Sequence, residues 1–367
     1  MLKRVSIQNF KSLKDVTLDL QKVNLLIGPN NSGKTNFLKA LEFSYYNHNF
    51  FEVEDEESGV AFMGYDLLGN HTELVFKRNQ NATITLKLAL VEDDIEREVE
   101  INWSSNKSTV RLTPRHNYNL KQDVVKFIRQ SLGEIIIYNP NPNTFNKPGP
   151  VGMGAQVINA DASNLIAFFD YIRDEHPETF AQIKADLAKC VPEFTEINFQ
   201  SVKPTEDLIK ISGPATYKRI GLTDGRQKTI YWADELSEGT LYFIALLCII
   251  NQPNPPKLLL LEEPEKGIHP RRIHEVVQFI LRLVEEKDIQ VIMTTHSPVV
   301  LDMFSEMPES VFIFDKDEEG ATHVKNLQHD VIEPDTEKSK ELGVEPPHYT
   351  DALGDSWTIG FLGGVPK

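Results

Sequence analysis

Cysteine is scarce in this chain of 367 residues: only Cys190 and Cys248 occur, far apart in the sequence. Two distant thiols cannot form the disulfide framework of a small secreted protein, so they indicate a reducing, cytoplasmic location. Long apolar runs are missing as well, since no stretch reaches the roughly 18 residues that a membrane helix needs. Residues 1–5 begin a strand pattern and not a secretion signal. We expect a cytoplasmic protein that does not span a membrane.

Positive charge is also in short supply. The chain has 38 Lys and Arg against 54 Asp and Glu, which gives a formal charge of −16 at pH 7. This balance argues against a large continuous surface for nucleic acid, although a local basic groove is compatible with it. DNA is therefore only a candidate partner. The residues that could form such a groove lie in positions 203–228 or form a later pair: Lys203, Lys210, Lys218, Arg219, Arg226, Lys228, Arg271 and Arg272.

A glycine-rich segment is the strongest signal in the sequence. It follows an apolar run at positions 23–27 and opens a helix-compatible stretch at 36–42. Its glycines allow backbone N–H groups to converge on an anion at the positive end of a helix dipole. In the pattern GxxxxGK[ST], Lys reaches the β- and γ-phosphates and Thr holds Mg²⁺. The sequence therefore predicts ATP or GTP binding by Gly28, Pro29, Asn30, Asn31, Ser32, Gly33, Lys34 and Thr35. We also count Asn36 and Lys11 among the nucleotide-binding residues.

A second segment ends in two adjacent carboxylates. Four leucines at positions 258–261 predict a central parallel strand that is buried on both faces, and Glu262 and Glu263 follow it. Ligands of open α/β sheets bind at the carboxyl ends of the strands. Successive strand residues point to opposite sides, so the two carboxylates can have different roles. We predict that Glu262 approaches Mg²⁺ and that Glu263 orients and deprotonates the attacking water.

A histidine ends a third segment. Residues 290–294 predict another strand, and His296 lies just beyond it. The interval from the acidic strand has about the length of one crossover helix, residues 271–286, which would make the two strands parallel neighbours. We therefore expect His296 to lie near Glu263 and to sense the γ-phosphate.

Between these segments, a Ser-x-Gly pair begins a long apolar helix. Residues 241–250 are apolar on every face, which predicts a buried helix with Ser237 as its N-cap and Gly239 in its first turn. Capping alone would explain Ser237. The order of the four segments gives it a second interpretation.

That order of phosphate loop, Ser-x-Gly helix start, acid-ended strand and strand-terminal histidine resembles the ATP-binding-cassette ATPases. The closer resemblance is to the head domains of the SMC, RecF and OLD-like group. Residues 5–20 are similar to the opening hairpin of that group, and residues 262–270 are similar to its EEPE…HP element. The resemblance implies an α/β ABC-ATPase head with a mixed central sheet, an N-terminal antiparallel β subdomain and a helical lobe. We place the N-terminal part of the first lobe, with the phosphate loop, at residues 1–155, and the helical lobe, which ends in the Ser-x-Gly helix, at residues 156–252. Residues 253–330 form the C-terminal part of the first lobe, with the acidic strand and His296, and residues 331–367 form a C-terminal tail.

The resemblance also implies a homodimer. In such heads the Ser-x-Gly element completes the site of the other subunit, so Ser237 and Gly239 would face ATP bound by the partner. Two departures from transport ATPases stand out: the chain reads Leu-Ser-Glu-Gly-Thr where they show LSGGQ, and Glu262 replaces an Asp. The longer side chain leaves open whether Mg²⁺ is contacted directly or through water. Gln80 and Gln130 are the candidates for the glutamine of the Mg²⁺ shell.

Two further features narrow the function. Residues 156–236 show no sustained heptads, so we expect no coiled-coil arm. Asp315 and Asp317 resemble a nuclease metal pair, but residues 318–324 predict a hairpin, and too few residues follow for a Toprim domain. We therefore expect an ATP-hydrolysing switch that controls a separate effector, such as a nuclease, in phage defence or DNA repair. The alternatives are the energising subunit of a membrane transporter, a nucleic-acid-binding repair ATPase without an effector, and a scaffold without ATP turnover.

Overall fold

The computed structural model describes residues 1–48, 60–62, 71–92, 95–105, 108–113, 130–131, 133–152, 154–213, 215–266 and 268–365. Its strands are β1 (Leu2–Phe10), β2 (Leu13–Asp19), β3 (Val23–Ile27), β4 (Val60–Phe62), β5 (Ile84–Glu92), β6 (Ile95–Trp103), β7 (Ser108–Thr113), β8 (Ile137–Tyr138), β9 (Gly149–Val151), β10 (Phe194–Val202), β11 (Thr216–Asp224), β12 (Ile230–Trp232), β13 (Leu258–Glu262), β14 (Gln290–Thr294), β15 (Val311–Lys316) and β16 (Thr322–Asn326).

The α-helices are α1 (Lys34–His48), α2 (His71–Leu74), α3 (Pro142–Phe145), α4 (Leu165–Glu175), α5 (Pro177–Cys190), α6 (Glu206–Ser212), α7 (Glu238–Asn251), α8 (Pro270–Lys287), α9 (Pro298–Asp302), α10 (Glu333–Leu342) and α11 (Leu353–Thr358). Short 3₁₀ turns cover Phe76–Arg78, Ala233–Glu235, Pro308–Ser310 and Tyr349–Ala352, and a π turn covers Gln328–Ile332. Within the described part of the chain, no helix is both long and apolar enough to cross a membrane.

The central sheet has the strand order β16-β15-β3-β14-β13-β8. Strands β15, β3, β14 and β13 run parallel to one another, and β16 is antiparallel to β15, so the sheet is mixed as predicted. Every residue of β3 and β14 is buried, which explains why apolar residues predominate in both strands. The carboxyl ends of β3, β13 and β14 therefore meet at one edge, and the predicted site residues follow these ends.

The N-terminal part forms the predicted antiparallel sheet, in the order β2-β1-β5-β6-β7-β4. Alternate side chains of β5 point into the core: Ile84, Leu86, Leu88 and Leu90 are all fully buried. Helix α1 adds Phe37 and Phe43 to the same apolar cluster. Burial of each such side chain stabilises the fold by up to about 3 kcal/mol.

The chain divides into two compact units. The first comprises residues 1–137, 257–265 and 280–367, and the second comprises residues 138–256 and 266–279. The second unit has its own antiparallel sheet, β10-β11-β12, to which β9 adds on β11. The chain enters the second unit after residue 137 and leaves it after residue 256, whereas the sequence predicts these boundaries at 155 and 252.

Two segments differ from what their sequences predict. The sequence of residues 72–76 predicts a strand, but helix α2 and a 3₁₀ turn cover most of them. The sequence around residues 197–211 predicts a strand pair, but the partner of β10 is β11, and α6 lies between them. Thr205 caps α6, because its hydroxyl accepts a bond of 3.4 Å from the Leu208 N–H.

Candidate nucleotide site

The phosphate loop connects β3 to α1 and requires glycine at both of its ends. Gly28 and Gly33 have φ values of 140° and 112°, a range that other residues rarely adopt. A Cβ at Gly28 would lie 2.2 Å from the Phe314 carbonyl oxygen, and one at Gly33 would lie 2.2 Å from Thr322 Oγ1. The loop is therefore packed tightly against the hairpin formed by β15 and β16.

Lys34 is held inside the loop. Its Nζ donates to the Gly28 carbonyl at 2.7 Å and to the Pro29 carbonyl at 3.0 Å. The residue is 5% exposed, and burial lowers its pKa to about 8 although Glu263, Glu262 and Glu265 oppose the shift. The ammonium group is thus mainly charged at pH 7, and carbonyls of the predicted phosphate loop hold it.

Thr35 and Glu262 are in direct contact. Thr35 Oγ1 donates to Glu262 Oε1 at 2.5 Å, which joins the start of α1 to the end of β13. Hydroxyl and carboxylate oxygens are the hard ligands that Mg²⁺ takes. The two residues predicted to hold Mg²⁺ therefore fit this role together.

Glu263 and His296 lie at the ends of neighbouring strands. Strands β13 and β14 are parallel with Glu262 opposite Thr294, and His296 Nε2 lies 3.5 Å from Glu263 Oε1. Burial and then Lys34 lower the pKa of His296, while Glu263 opposes this. The lowered pKa favours the neutral form of the imidazole.

Glu263 itself has an unusual backbone. Its φ is 48°, a left-handed value that costs a non-glycine residue roughly 1–3 kcal/mol. Its N–H donates to Thr294 Oγ1 at 3.2 Å, which holds the turn. The chain turns sharply at the end of β13. As a result, Glu262 contacts Thr35, whereas Glu263 lies near His296.

Glu265 is a residue of the site that the sequence patterns did not assign. Its Oε1 accepts bonds from Thr295 Oγ1 at 2.6 Å and from the His296 N–H at 3.1 Å. Its other oxygen is buried without a partner, and burial raises its pKa. Glu265 thereby fixes the backbone that carries His296. Its place in the EEPE element was the available signal.

A second group of unassigned residues surrounds the phosphate loop. Thr322 Oγ1 lies 2.8 Å from both Ser12 Oγ and the Ser32 carbonyl oxygen. Ser12 Oγ also accepts from Asn36 Nδ2 at 2.8 Å, which gives Asn36 a supporting contact. Lys316 Nζ donates to Asn31 Oδ1 at 3.0 Å. The contacts of Thr322 and Lys316 join residues about 285 to 310 positions apart, so no local sequence pattern predicts them.

Other predicted residues have these positions. Lys11 lies in the turn between β1 and β2 with a φ of 50°, and burial and then Lys39 lower its pKa. Asp317 lies in the predicted hairpin turn, where it accepts from the Ala321 N–H at 2.8 Å and lies 2.9 Å from His323. Both candidate glutamines are exposed. The Gln130 carbonyl accepts a bond of 2.5 Å from Lys257, just before β13 and at the opposite end from Glu262.

The Ser-x-Gly element lies in the second unit and begins α7 as predicted. Ser237 Oγ accepts from the Thr240 N–H at 3.1 Å, which makes it the N-cap. All residues from Gly239 to Ile250 are buried. A Cβ at Gly239 would lie 3.4 Å from Arg272 Cδ, an ordinary van der Waals distance.

Two of the basic residues proposed for a groove contact other side chains within the second unit. Lys218 pairs with Asp170, and both side chains are largely buried. The Arg219 guanidinium lies 4.0 Å from the centre of the Trp232 ring. These cations support the fold of the unit, and DNA binding stays a prediction.

A family model described as "AAA domain, putative AbiEii toxin, Type IV TA system" matches residues 49–302. The chain belongs to this AAA domain family. It is 20% identical to the ATP/GTP phosphatase of Helicobacter pylori, over 84% of this chain and 88% of that protein. It is 19% identical to the OLD nuclease of Thermus scotoductus, over 83% of this chain and 60% of that protein.

A solved structure has the same fold. The Smc head domain of Pyrococcus furiosus, bound to the C-terminal domain of ScpA, superposes with a TM-score of 0.52 at 13% identity, covering 93% of this chain and 99% of that chain. Together with the family match, this confirms an ABC-type ATPase head of the SMC, RecF and OLD-like group. The chain is an ATPase of this class.

Proposed function

We propose that the chain works as a dimeric switch in which two heads bind head to tail and hold ATP between them. The observation that carries this proposal is Gly239. Glycine destabilises a helix by about 1 kcal/mol relative to alanine, yet a Cβ here would meet its nearest neighbour at 3.4 Å. The packing of the chain itself therefore does not require glycine.

Ser237 and Glu238, just before the buried Gly239, are exposed, so a ligand from outside can reach the start of the helix. The first N–H groups of a helix have no acceptor within it, and they attract anions. In α7, Ser237 takes the Thr240 N–H and keeps its hydroxyl at the same end. A γ-phosphate held by the phosphate loop of a partner subunit is an anion of the required kind.

Within each head, the first unit supplies the hydrolytic groups. Lys34 binds the β- and γ-phosphates, and Thr35 and Glu262 hold Mg²⁺, which neutralises charge on the phosphates when it is bound. Glu263 orients the attacking water and takes its proton, while neutral His296 contacts the γ-phosphate. Glu265 keeps His296 in position.

ATP that contacts both heads favours the closed dimer through its higher affinity for that state, and hydrolysis removes the bridge. We propose that this cycle controls a separate effector, such as a nuclease, in phage defence or DNA repair in the cytoplasm. Support comes from the likeness to an OLD nuclease and from the hairpin contacts that occupy Asp317.

Sedimentation of the Glu263→Gln variant tests the dimer. Loss of the base should slow hydrolysis roughly 10²-fold or more, so that the ATP-bound state accumulates and sediments as a dimer. Ser237→Arg on this background should bind ATP with nearly unchanged affinity but remain a monomer.

Lys34→Ala is the matched control, because it should lose ATP binding and dimerisation together. A Glu263→Gln protein that binds ATP and stays monomeric would contradict the sandwich. Wild-type turnover by Glu263→Gln would instead contradict the choice of base.

A further inference from the structure

The C-terminal segment 353–364 lies against the phosphate loop and against the helix that follows His296. Helix α11 packs on α9, which begins at Pro298. A Cβ at Gly354 would lie 2.6 Å from the Pro298 carbonyl oxygen, and the Gly354 N–H donates to Asp302 Oδ1 at 2.7 Å. One end of the segment is therefore fixed to the helix that follows His296.

The segment then turns back toward the loop. Gly360 has a φ of 88°, and its N–H and that of Phe361 donate to the carbonyls of Trp357 and Ser356 at 2.9 and 3.0 Å. This is the bond pattern of a glycine helix stop. Beyond it, Leu362 is 3% exposed, so the returning chain is packed and not loose.

Gly364 reaches the first glycine of the phosphate loop. Its φ is 63°, and a Cβ there would lie 2.6 Å from Ile313 Cγ2 and 3.6 Å from Gly28 Cα. The buried Trp357 Nε1 donates to the Gly364 carbonyl at 3.0 Å. Gly28 is thus enclosed by Phe314 on one side and by a segment that Trp357 holds in place.

We propose that residues 353–364 form a C-terminal brace that sets the conformation of Gly28 and with it the affinity for ATP. Trp357 is a positioning residue that acts through Gly364. The Gly28 carbonyl accepts a hydrogen bond from Lys34 Nζ and must lose it when a phosphate binds Lys34. The brace therefore lies against the loop residue whose hydrogen bond changes when ATP binds. The inference rests on the assignment of the phosphate loop as the nucleotide site.

Trp357→Phe keeps a ring in place but removes the N–H donor. We expect the Kd for ATP to rise roughly five- to tenfold, the size of one lost buried hydrogen bond, while kcat at saturating ATP changes by less than about twofold. Gly364→Ala should raise the Kd as well, because its Cβ displaces the brace.

Phe361→Ala is the matched control. Phe361 lies in the same turn but is 69% exposed, so the Kd of this variant for ATP should equal that of wild type. Thermal melting establishes that each variant folds.

Hydrogen exchange of residues 353–364 provides a readout that a purely structural role would not change. ATP should slow exchange of the brace in wild type and have no effect in Lys34→Ala. If Trp357→Phe and Gly364→Ala both bind ATP like wild type, or if ATP leaves exchange of the brace unchanged, the brace is overturned. If Lys34→Ala still binds ATP, the assignment of the phosphate loop fails and the brace fails with it.

Discussion

Lys34 shows how single residues prepare this site. Two backbone carbonyls hold its ammonium group, with bonds of 2.7 and 3.0 Å, and we propose that phosphate oxygens replace them when ATP binds. Charge-assisted bonds to phosphate are stronger than bonds to neutral carbonyls. The exchange of partners therefore favours nucleotide, provided that Lys34 carries its proton.

This requirement predicts a pH dependence. Burial lowers the pKa of Lys34 to about 8, and phosphate favours the charged form, so ATP binding is strong below this pH and weakens as the pH rises through it. We expect the Kd for ATP to rise roughly eightfold between pH 7.5 and pH 9. Titration calorimetry at several pH values measures this.

Lys316→Gln is the control for this profile. Burial also lowers the pKa of Lys316, and its side chain contacts Asn31 of the loop, yet its removal should preserve the slope. A flat wild-type profile would mean that Lys34 does not titrate in this range.

At this scale the sequence predicts the residues that follow general rules and misses those that depend on distant contacts. Lys34 and Thr35 belong to a local motif, and the strand-end rule brings Glu262 to Thr35 and His296 to Glu263. Ser12, by contrast, supports the phosphate loop through its contact with Thr322, which lies 310 residues away in the sequence. No pattern around Ser12 carries that information.

At the scale of elements, burial decides which ones the sequence reveals. Strands β3, β13 and β14 are buried on both faces, so each is rich in apolar residues and the sequence identifies it as a strand. Helix α6 is a counterexample. It is short and largely exposed. Its apolar residues Leu208, Ile209 and Ile211 are typical of a strand, and only the Thr205 cap indicates a helix.

The loop between β3 and α1 yields a prediction of stability. Gly28→Ala forces a Cβ into the Phe314 backbone, 2.2 Å away, at a φ of 140°, which should lower the free energy of unfolding by at least about 3 kcal/mol. Denaturant unfolding measures this loss.

Gly320→Ala separates the effect of the collision from that of the backbone angle. Gly320 also has a positive φ, 81°, but no atom lies within 4 Å of the position that a Cβ would take, so the cost should be only about 1 kcal/mol. Equal losses in the two variants would show that the contact with Phe314 has no effect.

At the scale of the whole molecule, we propose that this chain supplies the ATPase site and that a separate protein supplies the effector activity. Asp315 and Asp317 are the nearest approach to a nuclease pair, and β15 and β16 form the expected hairpin around them. Asp317 is engaged by Ala321 and His323 within that turn. Two-metal cleavage needs ligands that hold ions about 4 Å apart, and we propose that a pair engaged in this way does not hold them.

We therefore expect that the protein alone leaves plasmid and linear DNA intact in Mg²⁺ or Mn²⁺. The Asp315→Ala/Asp317→Ala double variant should hydrolyse ATP like wild type, because both carboxylates lie outside the proposed hydrolytic group of Lys34, Glu263 and His296. Electrophoresis of the DNA and a phosphate-release assay measure the two activities. Cleavage by wild type that the double variant loses would make the chain a nuclease.

The path of the chain through the central sheet has a consequence for how such heads diversify. The chain leaves the sheet at β8 and returns at β13, its hydrogen-bonded neighbour, after more than a hundred intervening residues. Because the two ends of this excursion are already adjacent, each doubling of its length costs only about 0.6 kcal/mol in loop closure. Evolution can lengthen, shorten or replace the excursion, with or without a coiled-coil arm, while β3, β13 and β14 keep their register.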